Sequence, residues 1–306
     1  MGRLRFVLSQ ITRENDSQRE GAKAAEAAAQ RLNVDLEVVY AEGDSVRQSS
    51  QILDALHKYK SSLSGILVLP AGGTDFPQIG RAAASAGVAW VLLNRDANSL
   101  QDLRRHATVP VFAVSANHTD AGRIQARQLA ALLPEGGLVL CVQGPSGTLA
   151  ARERLAGLQE VKARNLELKI IKSTSWTEEG GRHAMASWLR LSTSLKQTIH
   201  AVAAQNDVIA MGARKAIGEL ASHWSKLPFL GVGGQVATGR VWVNEGLLTA
   251  TVVVPPVAGL ALDAAVAGIA QKKQPPDLQL IPVTPYPAIT TLKPVSATQA
   301  GVAKAF

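Results

Sequence analysis

The side chains of this chain that can do chemistry are mostly ones that hold a polar molecule rather than transform it. Its six histidines, His57, His106, His118, His183, His200 and His223, include no pair at the helical spacing of a zinc site, and Cys141 stands alone. Ser146 lies in Pro-Ser-Gly with no base assigned to it, and no Gly-x-Ser-x-Gly elbow occurs. After the first apolar run no glycine appears until Gly21, so a dinucleotide fingerprint is missing, as is a phosphate loop ending in Gly-Lys-Ser/Thr. The expectation is a protein that is not an enzyme and uses neither metal nor cofactor. What remains are amides, carboxylates and arginines placed just after apolar runs. They are Gln10, Glu14 and Asn15, then Asn94 and Arg95, then Arg152 and Arg154 in the stretch Gln143-Gly144-Pro145-Ser146-Gly147-Thr148-Leu149-Ala150-Ala151-Arg152-Glu153-Arg154. A guanidinium fork grips paired oxygens, which suits hydroxyls or a carboxylate.

These residues need elements to position them. Residues 4–8, 35–40, 65–69 and 88–93 read as strands, with helices over 17–32, 45–60 and 76–86 between them. Strands alternating with helices imply a parallel sheet, and right-handed crossovers put helices on both faces. After 111–114 the alternation resumes, with strands at 138–142, 168–171, 199–203 and 229–232 and helices at 119–132, 149–164, 178–191 and 208–220. The fold class expected is therefore α/β, two doubly wound domains. Ligands of such sheets bind beyond the carboxyl ends of the strands, where the polar residues above stand. Thr148 is placed to cap the helix that follows it, and Arg152 and Arg154 leave its first turn on different faces, one toward solvent and one toward a cleft. An ordinary strand-to-helix turn with a solvated Arg-Glu-Arg run is the competing reading.

With 306 residues, 46% of them apolar and 18% charged, the chain has material for two cores. No apolar run reaches the ~18 residues of a membrane span, and nothing at Met1-Gly2-Arg3 reads as an export leader. The formal charge of +8 would suit an anionic partner, but the cations are scattered and no helix-turn-helix precedes the first strand, so no nucleic acid is expected. Cys141 sits within a strand as a buried, inert thiol.

The run Gln-Gly-x-x-Gly-Thr-x-Ala-Ala-Arg-Glu-Arg resembles the second-domain entry of ribose-binding proteins, in the sugar branch of the type I periplasmic binding proteins. Ala204-Gln205-Asn206-Asp207-Val208-Ile209-Ala210-Met211-Gly212-Ala213 is similar to another segment of that family, and Gly231-Val232-Gly233-Gly234 continues the resemblance in order. The resemblance implies a three-crossing hinge, with one lobe at 1–116 plus 255–279 and the other at 117–254 plus 280–306. It implies a solute-binding protein that closes on a small polar ligand, a sugar or sugar derivative, for an ABC-type transporter or membrane sensor. Periplasmic location and a monomeric state follow from it. A cytoplasmic sensor related to lactose-repressor effector domains is the alternative if Met1 is the native start. Among site residues it implies Asn94 and Arg95, Arg154, a ring at Trp176 closing on the sugar face, and Asn206 facing the cleft. Asn206 as a helix cap and Trp176 as a packing residue are the structural alternatives.

The departures carry information too. Glu14 and Asn15 stand where the resemblance implies an aromatic pair, Gly233 replaces an aspartate and Val254 a glutamine. Losing two acceptors while keeping two arginines predicts an anionic ligand, a sugar acid or sugar phosphate, unless Glu14 restores the charge.

Overall fold

The computed structural model describes residues 3–72, 75–191 and 197–295, so Met1 and Gly2 lie outside it. The chain forms two compact units. Unit 1 comprises Met1–Ala116 and Pro255–Ile281, and unit 2 comprises Asn117–Val254 and Pro282–Phe306. The last boundary falls two residues beyond the 279/280 division that the resemblance implies. The reason is that β11 (Leu278–Ile281) is hydrogen-bonded in parallel to β5 (Val111–Ala116) along its whole length.

Unit 1 is a six-stranded parallel sheet in the order β11-β5-β4-β3-β1-β2, with β1 at Arg5–Gln10, β2 at Asp35–Tyr40, β3 at Gly65–Val68 and β4 at Ala89–Leu93. The central strands are buried on both faces and read as continuous apolar runs, as a helix-covered parallel sheet requires. α1 (Asp16–Leu32) packs on α10 (Val257–Gln271), while α2 (Ser45–Tyr59) and α3 (Pro77–Ser85) serve the other strands. α4 (Gln101–His106) lies between the strand at 88–93 and that at 111–114, where the sequence suggests no element, because six residues are too few to show a helical period.

Unit 2 is a four-stranded parallel sheet, β7-β6-β8-β9, with β6 at Gly137–Gln143, β7 at Leu166–Lys172, β8 at Ala201–Ala204 and β9 at Phe229–Leu230. Strand alternation sorts its core into two layers. Val139 and Cys141 join Ala126, Leu129 and Leu158 from α5 (His118–Leu132) and α6 (Leu149–Val161). Leu140 and Val142 join Met185, Ile209 and Ala213 from α7 (Glu178–Leu189) and α8 (Asp207–Leu220). Burial pushes the Cys141 thiol up to about 12, which leaves it inert at neutral pH. The short α9 (Gly239–Asn244) and the antiparallel pair β10 (Thr251–Val253) and β12 (Thr284–Tyr286) complete the unit. None of the described helices is long and apolar enough to cross a membrane.

Candidate functional site

In unit 1 the polar residues after β1 and β4 occupy the carboxyl edge of one sheet, separated by the width of β3, so the two groups stand about 10 Å apart. Gln10 is buried, with Nε2 3.5 Å from the Gln18 carbonyl oxygen and Oε1 making no hydrogen bond among the described residues. Asn15 caps α1, its side-chain oxygen accepting from the Gln18 amide at 3.3 Å, and Glu14 is exposed beside it. Asn94 adopts a left-handed conformation with φ +52°, and its Oδ1 accepts from the Ala116 amide at 3.2 Å.

Arg95 is held differently from the solvent-facing side chain that its strand-end position suggests. Its Nε meets Asp75 at 3.1 Å, while Nη2 donates to the carbonyl oxygens of Pro70 at 2.9 Å and Gly72 at 3.3 Å. Nη1 donates to the Asn94 carbonyl at 3.1 Å. The side chain is only 17% exposed, so this arginine ties the β3–α3 loop to the end of β4.

Unit 2 gathers its candidates more tightly. Thr148 caps α6, its hydroxyl accepting from the Ala151 amide at 3.4 Å, and the two arginines of the next turn part as their spacing predicts. Arg152 stays exposed, donating to the Gly147 carbonyl, whereas Arg154 is 9% exposed. Arg154 Nη1 donates to the carbonyl oxygen of Gln205 and Nη2 to His118 Nδ1 at 3.3 Å. Its Nε is buried without a hydrogen bond among the described residues, and its Cζ lies 5.6 Å from the centre of the Trp176 ring. Burial pulls the guanidinium down to about 10, opposed by the charge of Asp207 and then of Glu153.

Asp207 is the matching buried acid. Its Oδ1 accepts from the Thr251 hydroxyl and its Oδ2 from the Gly234 amide, both at 2.6 Å. Burial pushes it up to about 6, against those two hydrogen bonds and the Arg154 charge. The helix cap falls instead to Asn206, whose Oδ1 accepts from the Ile209 amide at 2.7 Å while Nδ2 reaches the Trp176 carbonyl at 3.4 Å. Trp176 lies flat against the turn after β6, and a Cβ on Gly144 would come within 2.3 Å of its ring, so a glycine is required there. Gln205 locks the same turn, its Oε1 accepting from the Gly144 amide at 3.0 Å and its Nε2 donating to the Ala151 carbonyl at 2.9 Å.

Arg154, Trp176 and Asn206 are thus brought together at one sheet end. Gly233 lies beside Asp207, a Cβ there falling 2.8 Å from Asp207 Oδ2, and Val254 donates its amide to the Gly233 carbonyl at 2.9 Å. His118 and Gln205 are contributors that sequence reasoning passed over. The histidine lacks any spacing signal, and the glutamine stands in the sequence only as a neighbour of Asn206. Among the described residues no group of three His, Cys, Asp or Glu side chains is set to hold a metal ion.

The periplasmic binding protein domain matches residues 6–273 of the chain. The chain belongs to the periplasmic binding protein family. Members of this family are solute-binding proteins, not enzymes, which agrees with the motifs the chain lacks. A Rhizobium meliloti relative named for rhizopine binding is 27% identical over 60% of this chain, which spans 57% of that relative's length. The ribose import binding protein of Escherichia coli K12 is 26% identical over 74% of this chain and 71% of its own length. Among solved structures, an ABC transporter periplasmic solute-binding protein of Actinobacillus succinogenes with bound D-allose superposes with a TM-score of 0.81. It is 20% identical, with 92% of this chain and 97% of that one covered, and so testifies to the two-domain α/β fold.

Proposed function

We propose that this chain captures a neutral sugar or polyol in the periplasm and hands it to an ABC-type permease. The family supports the transport role, and the relative named for ribose import and the solved structure with bound D-allose point to polyhydroxylated ligands. The observation that carries the neutral charge is that Arg95, at the end of β4, already has a carboxylate partner, and that the buried Arg154 of α6 lies within the field of a buried acid. Arg95 is paired with Asp75 at 3.1 Å, and Asp207 supports the charge of Arg154. Positions 233 and 254 lack acceptors, but Asp75 and Asp207 bring negative charge from elsewhere in the chain. Adding a carboxylate or phosphate ligand would place a further negative charge near Asp207, whose own charge burial already disfavours. A hydroxylated ligand adds no such charge and can pack a C–H face on the half-buried Trp176.

Calorimetric titration of D-ribose, D-allose and xylitol, with D-ribonic and D-allonic acids as matched anions, tests this. The neutral member of each pair binds more tightly. Equal or tighter binding of the acid refutes the charge assignment, and binding of none refutes the ligand class.

A further inference from the structure

We infer that Gln235 is a specificity-determining ligand contact, its carboxamide serving a pair of neighbouring hydroxyls; this rests on the sugar or polyol reading above. The residue stands just beyond β9, at the same carboxyl edge as Asn206 and Asp207, and its surroundings leave its main chain little freedom. Gly233 donates its amide to the Val252 carbonyl at 2.7 Å and Gly234 donates to Asp207 Oδ2, while the Gln235 carbonyl accepts from the amides of Thr238 and Arg240 at 3.3 and 3.1 Å.

Held this way, the side chain folds back over Gly233. A Cβ added to Gly233 would fall 2.6 Å from Gln235 Oε1, 3.3 Å from its Cδ and 2.8 Å from Asp207 Oδ2. The space that any side chain at 233 would enter is therefore filled from 235, and the φ of +143° at Gly233 also disfavours a side chain there. The pair works as a unit. Glycine at 233 makes room for an amide that reaches the same place from two residues on.

The Gln235 side chain is half-buried, and among the described residues its carboxamide makes no hydrogen bond. A half-buried amide with unmet donors and acceptor, at the edge where open α/β sheets take ligands, is matched by adjacent hydroxyls. One hydroxyl donates to Oε1 and its neighbour accepts from Nε2. Neutrality matters here, because a carboxylate in the same place would face Asp207 Oδ2 across a few ångströms. The amide supplies an acceptor near the point where the resemblance implies an aspartate, without that charge.

The test is calorimetry of wild type, Gln235→Ala and Gln235→Asn against D-ribose, D-allose and xylitol, with urea denaturation of each unliganded protein. Gln235→Ala lowers affinity for the tightest member roughly tenfold, as loss of one to two hydrogen bonds implies, and shifts the ratio of affinities across the panel. Its unliganded denaturation midpoint stays at the wild-type value, since no hydrogen bond within the protein is lost. Gln235→Asn, with the amide drawn back by one methylene, falls between the two. Wild-type affinity and ratios in Gln235→Ala overturn the inference alone. So does an equal loss for all three ligands accompanied by a lowered midpoint, which marks a structural role. A wild-type protein that binds none of the three refutes the sugar or polyol reading, and the inference falls with it.

Discussion

Gly157→Ala is a substitution that local propensity would recommend and the packing forbids. In an isolated helix the change gains about 1 kcal/mol. In α6, however, the new Cβ would lie 1.9 Å from the Thr119 carbonyl oxygen of α5 and 3.2 Å from the Arg123 amide nitrogen. The obstacle is backbone, so no rotamer change relieves it, and the two helices must separate by roughly 1 Å or more before the contact becomes tolerable. Overpacking of a close contact costs about 1–3 kcal/mol, occasionally more, and a backbone-to-backbone clash belongs at the upper end. The net expectation is a loss of about 2 kcal/mol, or roughly 4–8 °C for a unit of this size. The same helices meet again at Gly122, where a Cβ would come 2.0 Å from the carbonyl oxygen of Arg154 itself, so parting them also displaces the arginine. Gly218→Ala in α8 provides the contrast, because nothing lies within 4 Å of its added Cβ, and it should stabilise by about 0.5–1 kcal/mol. Urea denaturation followed by tryptophan fluorescence reads unit 2 directly, since Trp176, Trp188, Trp224 and Trp242 all belong to it. A Gly157→Ala midpoint at or above wild type would refute the close-packing argument.

Three further outcomes are expected. The Asp207 carboxyl holds its proton up to about pH 6 in the folded protein, whereas its ordinary value is 3.8. Its contribution to stability is therefore full below pH 3.8, declines by about 3 kcal/mol as pH rises to about 6, and is level above. Urea midpoints of wild type and Asp207→Asn should consequently diverge across that window, and a gap independent of pH would show that the carboxyl is not displaced. Arg95→Ala removes the Asp75 pair and the carbonyl contacts of the β3–α3 loop, so the unliganded protein loses about 1–3 kcal/mol in urea denaturation. An unchanged midpoint would mean that those contacts do not contribute to the fold. Asn206→Ala forfeits the α8 cap and about 1 kcal/mol, whereas Asn206→Ser restores the cap without the Nδ2 donor. If serine also restores ligand affinity in calorimetry, Asn206 acts as a cap alone.

What the sequence determined by itself is whatever depends on residues a few positions apart. The alternation of β6, the apolar runs of β3 and β4, the caps Thr148 and Asn206 and the divergence of Arg152 from Arg154 follow from periods of 2 and 3.6 residues. Both α/β units were therefore legible, apart from six-residue helices such as α4 and α9, which are too short to display a period. The pairings behind the charge proposed for the ligand were not. They are Asp75 reaching Arg95 across the β3–α3 loop, and Asp207 lying buried near Arg154 with Thr251 and Gly234 around it. His118 against Arg154, and Gln235 folded over Gly233, belong to the same class. Only the tertiary structure decides such pairings, because electrostatic energy depends on distance through space and on the loss of water, and neither is encoded in the spacing of residues along the chain.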